Sequence, residues 1–399
     1  MPKLLQINVS ANWGSTGRIA EQINQTAMMD GWECWIAYSR YANASASELI
    51  QIGSKKDVLW AVAETRLLDK AGLSMRQATK KLIQQIEKLQ PDVVHLHNIH
   101  GYVLNYEILF GYLNRSGIKV VWTFHDFWAM TGHCAHFIDV DCMKWKTGCH
   151  HCPKHKSYPS SFTDFSARNY ALKKRLFTEN PNLHIVAVSE WVAKYVRESF
   201  FKDKDIRVIH NGVDLNVFRP TKGFVHPKIK DEDFVILAVA SRWTKNGKGF
   251  PDYMALSMML ADEEKLVLVG INEELATELP NNVIGISRTN SQEELAAIYT
   301  RANVVISFSP AETFGMTIVE GYACGTPAIV YDNSAPPYLI TLQTGYVVPN
   351  KDVQAAYDAI QKMKEYGKAY FSEACLKLAQ QKFDKNKCFA QYIELYEED

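Results

Sequence analysis

The chain has 399 residues, 47 % of them hydrophobic and 22 % charged, with 44 Lys+Arg against 44 Asp+Glu. That length exceeds what one hydrophobic core usually organises and calls for two domains of about 200 residues, while a formal charge of zero argues against a nonspecific nucleic-acid binder. No apolar run approaches the ~20 residues of a membrane span, and the N-terminus MPKLLQINVSANWG turns polar too soon for a signal peptide, so the chain reads as cytoplasmic.

In chain order, LLQINVS predicts a first strand, followed by the loop NWGSTGR with Gly14 and Gly17. Met75 to Gln90 predicts an amphipathic helix, because Met75, Ala78, Leu82, Ile86 and Leu89 share one face. DVVHLHN, VVWTFHD and IVAVSE read as further strands; His95 and His97 of the first point the same way, with His97 nearer its end. The polar segment Arg219 to Asp233, holding Pro220, Gly223, Pro227 and three consecutive acids, reads as an interdomain linker. A second series, FVILAVAS, LVLVGIN, NVVISFS and PAIVYD, follows it. Strands alternating with helices imply parallel sheets covered on both faces. The tail places Phe389, Tyr392, Ile393 and Tyr396 on one helical stripe.

The halves differ in charge: residues 1–217 hold 26 Lys+Arg and 20 Asp+Glu, residues 218–399 hold 18 and 24, and eleven of the twelve histidines lie in the first. Proton-handling and basic chemistry is therefore concentrated there.

The stretch SPAETFGMTIVEGYACGTPAIVYD sets Glu312 and Glu320 in a small, apolar run. Asn303 to Ser309 predicts a strand stopped by Pro310, and Thr317 to Cys324 a helix ended by Gly325 and Pro327. Glu312 then lies in the loop and Glu320 about one turn into the helix. Ligands of parallel sheets bind beyond the carboxyl ends of strands, and a helix N-terminus offers N–H groups to anions. Gly315 removes a side chain where a phosphate would approach. Two carboxylates beside such a terminus can accept hydrogen bonds from sugar hydroxyls, which suits a sugar diphosphate; alternatively, they are solvated charges supporting the helix start.

This stretch resembles the E-x7-E region of retaining GT-B glycosyltransferases of the GT4 group. HNGVDLNVFRP resembles that group's segment before the linker, and ASRWTKNGKGF its arginine and lysine-glycine loop. The aromatic, cysteine-rich HDFWAMTGHCAHF…KTGCHHCP is similar to a bacterial branch acting in capsule or exopolysaccharide assembly. The resemblance implies an α/β chain of two Rossmann-like, doubly wound parallel-sheet domains facing a central cleft. Residues 1–217 would bind the acceptor and carry a Cys-rich insertion at 133–155, residues 218–379 would bind the nucleotide sugar, and a helix in 380–399 would return to the first domain.

The implied activity is retaining hexosyl transfer from a nucleotide sugar, UDP- or GDP-linked, to a saccharide or polyprenyl-diphosphate-linked acceptor in cell-surface polysaccharide assembly. By the same resemblance Glu320 binds the ribose hydroxyls, Glu312 those of the transferred sugar, and the backbone of Phe314, Gly315, Met316 and Thr317 the sugar and phosphates. Arg242 and Lys248 supply cations to the departing diphosphate. Five residues separate that pair where the family usually has four, so Lys245 is an alternative to Lys248. Gly14 and Gly17 bring backbone close to a phosphate or acceptor, and Arg18 faces one of these. His125, followed by Asp126 to fix its tautomer, matches the family's crevice histidine near the transferred sugar. His97, Asn98 and Ser189 are acceptor-side candidates.

Four cysteines, Cys134, Cys142, Cys149 and Cys152, fall within nineteen residues and form either a structural zinc site or a set of unlinked or redox-paired thiols. The Asp-x-Asp pairs at 139/141, 203/205 and 231/233 follow no strand of the second domain, and catalysis is expected to need no cofactor. Arg76, Lys80, Lys81, Lys173, Lys174 and Arg175 suit peripheral contact with anionic lipid at the inner face of the plasma membrane. Two other readings stand beside transfer: a nucleotide-sugar epimerase on the same scaffold, and a noncatalytic zinc-containing binding protein.

Overall fold

The computed structural model describes residues 1–398. Its chain divides into two compact units, the first formed by Met1–His210 together with the residues from Cys388 onward, the second by Asn211–Lys387.

The strands of the first unit are β1 (Lys3–Ile7), β2 (Ser10–Ala11), β3 (Glu33–Tyr38), β4 (Tyr41–Ala42), β5 (Glu48–Gln51), β6 (Val93–Leu96), β7 (Lys119–Phe124), β8 (Leu183–Ala187) and β9 (Asp205–Val208). Seven form a sheet in the order β5-β3-β1-β6-β7-β8-β9, every pairing parallel. The helices are α1 (Gly14–Met29), α2 (Lys55–Leu68), α3 (Arg76–Leu89), α4 (Tyr106–Ser116), α5 (Ser166–Thr178) and α6 (Glu190–Arg197). The central strands are apolar along nearly their whole length because both faces are covered: all of Val93–Leu96 is buried. In α3 the apolar stripe buries Ala78, Leu82 and Ile86.

The second unit contains β10 (Phe234–Val239), α7 (Phe250–Ser257), β11 (Glu264–Val269), α8 (Glu273–Ala276), β12 (Val283–Ile286), α9 (Gln292–Arg301), β13 (Val304–Ser307), α10 (Met316–Ala323), β14 (Ala328–Tyr331), β15 (Gly345–Val348), α11 (Val353–Tyr366) and α12 (Lys368–Lys382). Its sheet runs β12-β11-β10-β13-β14-β15, again parallel. Both sheets thus reverse direction beside their first strand, the Rossmann-like order that opens a crevice at the reversal. That crevice falls between β1 and β6 in the first unit and between β10 and β13 in the second.

The last helix, α13 (Lys385–Glu397), starts in the second unit and continues through the first. Its Phe389, Tyr392, Ile393 and Tyr396 share one core cluster with Leu4, Ile23, Val121 and Val186.

Arg219–Asp233 is not the connection between the units. Residues 211–221 already belong to the second: Val213 N–H donates to Phe383 O at 2.7 Å, Lys385 N–H to Val213 O at 3.0 Å, and Thr221 N–H to Thr300 Oγ1 at 3.0 Å. The polar run lies on the same unit, where the Arg301 guanidinium donates to Lys230 O at 2.6 Å. Polarity marked a surface segment, and the crossing is ahead of it at His210–Asn211. Among the described residues no helix is long and apolar enough to cross a membrane.

Candidate active site

In the second unit the loop after β10 carries Arg242, Lys245 and Lys248, and the loop after β13 carries Glu312. Trp243 pins the first loop by donating its indole N–H to Val269 O at 2.8 Å. Gly249 (φ +77°) lies so close to β13's end that a Cβ there would stand 2.2 Å from Phe308 O; only glycine permits this approach. Lys248 is thereby brought over the second loop, and its Nζ meets Glu312 Oε1 at 2.5 Å. Lys245 points elsewhere, to Glu278 Oε1 at 2.7 Å, so of the two candidate cations the geometry brings Lys248 to the crevice and not Lys245. Arg242 is exposed on the same loop.

The helix beyond Glu312, α10, starts at Met316. Its preceding residue, Gly315, has φ +113°, and no side chain caps the helix start. Backbone conformation therefore requires this glycine, whether or not a phosphate approaches it. Phe314 is buried, whereas Met316 and Thr317 are half-buried. Glu320 receives the Tyr299 hydroxyl on Oε2 at 2.8 Å. Burial, and then the Glu320 charge, push the Tyr299 phenol well above its ordinary pKa, so it stays a donor and fixes one oxygen of the carboxylate.

In the first unit the crevice is polar. Gln6 donates through Nε2 to Ala20 O at 2.6 Å and Asn24 Oδ1 at 2.5 Å, which leaves Gln6 Oε1 as an acceptor 2.5 Å from His97 Nε2. His97 must carry its proton on Nε2. Its Nδ1 is then the acceptor for His125 Nε2, 3.0 Å away, and His125 keeps Nδ1 unprotonated. Burial holds the His125 imidazole down at about 4, with Asp126 opposing only through its nearby charge. Burial, then neighbouring histidines, also hold His97 well below the ordinary histidine value. The tautomer is therefore set by Gln6 and His97. Asp126 instead faces His100 Nε2 at 3.3 Å and accepts the Trp128 N–H at 2.9 Å.

Two acceptor-side expectations change. His97 is buried, with both ring nitrogens engaged, and orients His125 rather than presenting a surface. Ser189 is also buried and caps α6 by accepting the Val192 N–H at 3.2 Å. Asn98 does line a hollow of about 280 Å³, with His100, Asp126, His136, Lys154 and Tyr158. The third histidine of HLHNIH was the sequence signal for His100; Tyr158 had none. Gly14 is exposed at the start of α1, and Arg18 is exposed on its first turn. Gly17 serves packing, since a Cβ there would lie 2.8 Å from Ser10 Oγ.

One member of each aspartate pair is engaged locally: Asp139 with Lys154 at 2.5 Å, Asp205 with His184 and Arg207 at 3.0 Å each, and Asp233 with the Lys230 N–H at 2.8 Å. Lys173 is no surface cation; it is buried and donates to Trp128 O at 2.7 Å and Thr131 O at 3.0 Å. The four clustered cysteines line one small hollow.

Two Rossmann-like units, one with a cation and carboxylate meeting ahead of a helix start, have the architecture of GT-B glycosyltransferases. Residues 17–217 match the family model "Glycosyltransferase Family 4" and residues 219–381 match "Glycosyl transferases group 1". The chain belongs to glycosyltransferase family 4. It is 23 % identical over 419 aligned residues to WcaC of Escherichia coli K12, named for colanic acid biosynthesis, covering 99 % of each chain. The sucrose-phosphate synthase structure from Thermosynechococcus elongatus superposes with TM-score 0.72 at 17 % identity, covering 99 % of this chain and 98 % of that one. Anabaena HepE in complex with UDP superposes with TM-score 0.67 at 15 % identity, covering 99 % of each chain.

Proposed function

We propose that this glycosyltransferase is a retaining hexosyltransferase. It moves a hexose from a UDP- or GDP-sugar to a saccharide or polyprenyl-diphosphate-linked acceptor in cell-surface polysaccharide assembly. The observation carrying the reading is the Lys248–Glu312 pair, which joins the two loops at the second unit's sheet reversal immediately ahead of the uncapped α10. There Lys248 and Arg242 neutralise the departing diphosphate, the first turn of α10 receives its oxygens, Glu312 holds the transferred sugar and Glu320 the ribose. His125 stands by the sugar hydroxyls, and Asn98 with Asp126 and His100 receives the acceptor. UDP bound by a relative of the same fold supports the donor class, and the name of WcaC supports the pathway class.

A thermal-shift panel of UDP-, GDP-, ADP- and TDP-sugars tests this reading, since a ligand that binds the native state raises its melting temperature. One nucleotide class should stabilise the wild type, and Glu320→Gln should weaken that donor by about 10- to 100-fold, as expected for a lost hydrogen bond to a charged group. No shift with any donor would remove the proposal. An inverted anomeric centre in the product, read by NMR, would remove its retaining part.

Peripheral membrane contact belongs to the same proposal. Helix α2 exposes Leu59, Trp60, Leu67 and Leu68, and α3 exposes Arg76, Lys80 and Lys81, an apolar and basic combination suited to an anionic bilayer. Trp60→Glu should lower cosedimentation with anionic vesicles severalfold; equal binding by both proteins would exclude this face.

A further inference from the structure

We propose that Cys134, Cys142, Cys149 and Cys152 hold one structural zinc ion that closes the insertion and takes no part in transfer. The four side chains, separated by up to eighteen positions in sequence, converge on a single hollow of about 10 Å³, close to the room one water-sized particle occupies. Phe137 and Trp145 supply its apolar wall. Zinc takes four thiolates in a tetrahedron at about 2.3 Å, a set that leaves no open position for a substrate.

The surroundings are those of a ligand shell. The Gly132 N–H donates to Cys149 Sγ at 3.2 Å, the kind of outer contact that orients a metal-bound sulfur. A Cβ at Gly132 would lie 2.1 Å from Ser166 O, so this amide reaches the sulfur only because the residue is glycine. The Cys152 N–H is held by Asp164 Oδ2 at 2.7 Å, and Asp164 also accepts the Ser166 N–H at 2.9 Å. The Cys152 half of C-x2-C is thus tied through Asp164 to the start of α5. Cys134 hydrogen-bonds Cys152 across the hollow.

Charge agrees. Zn²⁺ with four thiolates carries two negative charges, and buried Lys173, which burial pushes down to about 7 and which donates to two carbonyl oxygens beside the Trp128 ring, lies in electrostatic range of Cys149 and Cys134, whose negative charge would favour its ammonium form. The segment also needs a tie. Apart from single 3-10 turns at Ile138–Val140 and Lys144–Lys146 it has no regular structure up to α5, and a long irregular loop inside a compact domain is uncommon without a constraint or a function to hold it. As the side chains stand, among the described residues no group of three or more His, Cys, Asp or Glu is set to hold a metal ion. All eight cysteines are free thiols, so binding requires the four to draw inward and release their protons.

Elemental analysis of the purified full-length protein should give about one zinc per chain, released when a mercurial reagent titrates the thiols. Cys142→Ser and Cys152→Ser should each lose most of that zinc. Wild-type protein loaded with Co²⁺ should show the intense sulfur-to-cobalt charge-transfer bands of a tetrathiolate, a readout that survives if the serine variants do not fold. Less than about a tenth of an equivalent of zinc together with no cobalt bands, or a disulfide detected by mass in protein as purified, would overturn the site. No donor or acceptor enters the measurement, so its outcome is independent of the proposed transfer reaction.

Discussion

Lys248→Ala lowers kcat/KM by about 10²- to 10³-fold, the loss typical of removing one preorganised group that stabilises developing charge, while Lys245→Ala stays within about twofold. Both lysines occupy one polar loop, and their partners separate them. Lys245 is exposed against Glu278, where solvent screens the pair. Lys248 is carried over the neighbouring loop by the Gly249 approach and meets Glu312. A second explanation of the loss is that Lys248 merely neutralises Glu312. The double variant Lys248→Ala/Glu312→Gln separates the two, because restored activity would mean that shielding was the only role. Wild-type steady-state kinetics for Lys248→Ala would end the donor-site assignment.

Acidification from pH 7.5 to 5 lowers the melting temperature by at least about 4 °C, through the first unit. His95, His97 and His125 are buried side by side and neutral; burial is the main cause of their depressed values, with His125 at about 4. In the unfolded chain each titrates near its ordinary value of about 6.5. Above that value neither state binds a proton and the full stability is present. As pH falls below it the unfolded chain gains protons that the folded one refuses, so stability drops until the folded value is reached. For His125 at pH 5 the loss is about 2 kcal/mol, and His95 and His97 act in the same direction. The carboxylates held below their ordinary range, Asp57, Asp164 and Asp205, keep their contribution until lower pH. Between pH 7.5 and 5 the carboxylates therefore contribute little, while Lys173, which burial pushes down to about 7, and Cys152, held below its ordinary value by its hydrogen bond with Cys134, act in the same direction as the histidines. An unchanged melting temperature across that interval, followed by circular dichroism, would contradict the buried neutral cluster.

The strands buried on both faces were legible in the sequence. FVILAV and LVLVG are continuous apolar runs, as the middle of a covered parallel sheet requires, and LLQINVS and VVWTF are predominantly apolar. Those at the margins were not: Glu48–Gln51, Asp205–Val208, Val283–Ile286 and Gly345–Val348 form the sheet edges, where half-exposed polar residues and glycine blur the pattern. Glu33–Tyr38 was missed for another reason, since its burial alternates and Cys34 with Trp35 interrupts the β-branched signal. The Glu312 loop and Glu320 helix were readable from Pro310 and Gly325 alone. The partner of Lys248 was not, because a backbone approach at Gly249 decides it. Nor was the Gln6–His97–His125 order, which joins three strand ends far apart in sequence and depends on which atom of Gln6 is already used.

Helix α13 gives the chain a timetable. The core formed by Leu4, Ile23, Val121 and Val186 includes Phe389, Tyr392, Ile393 and Tyr396, so during synthesis the first 210 residues leave the ribosome with an apolar furrow uncovered until α13 emerges. Translation must traverse the entire intervening unit first. A nascent chain halted before Cys388 would expose that furrow to chaperones, however well its second half had folded.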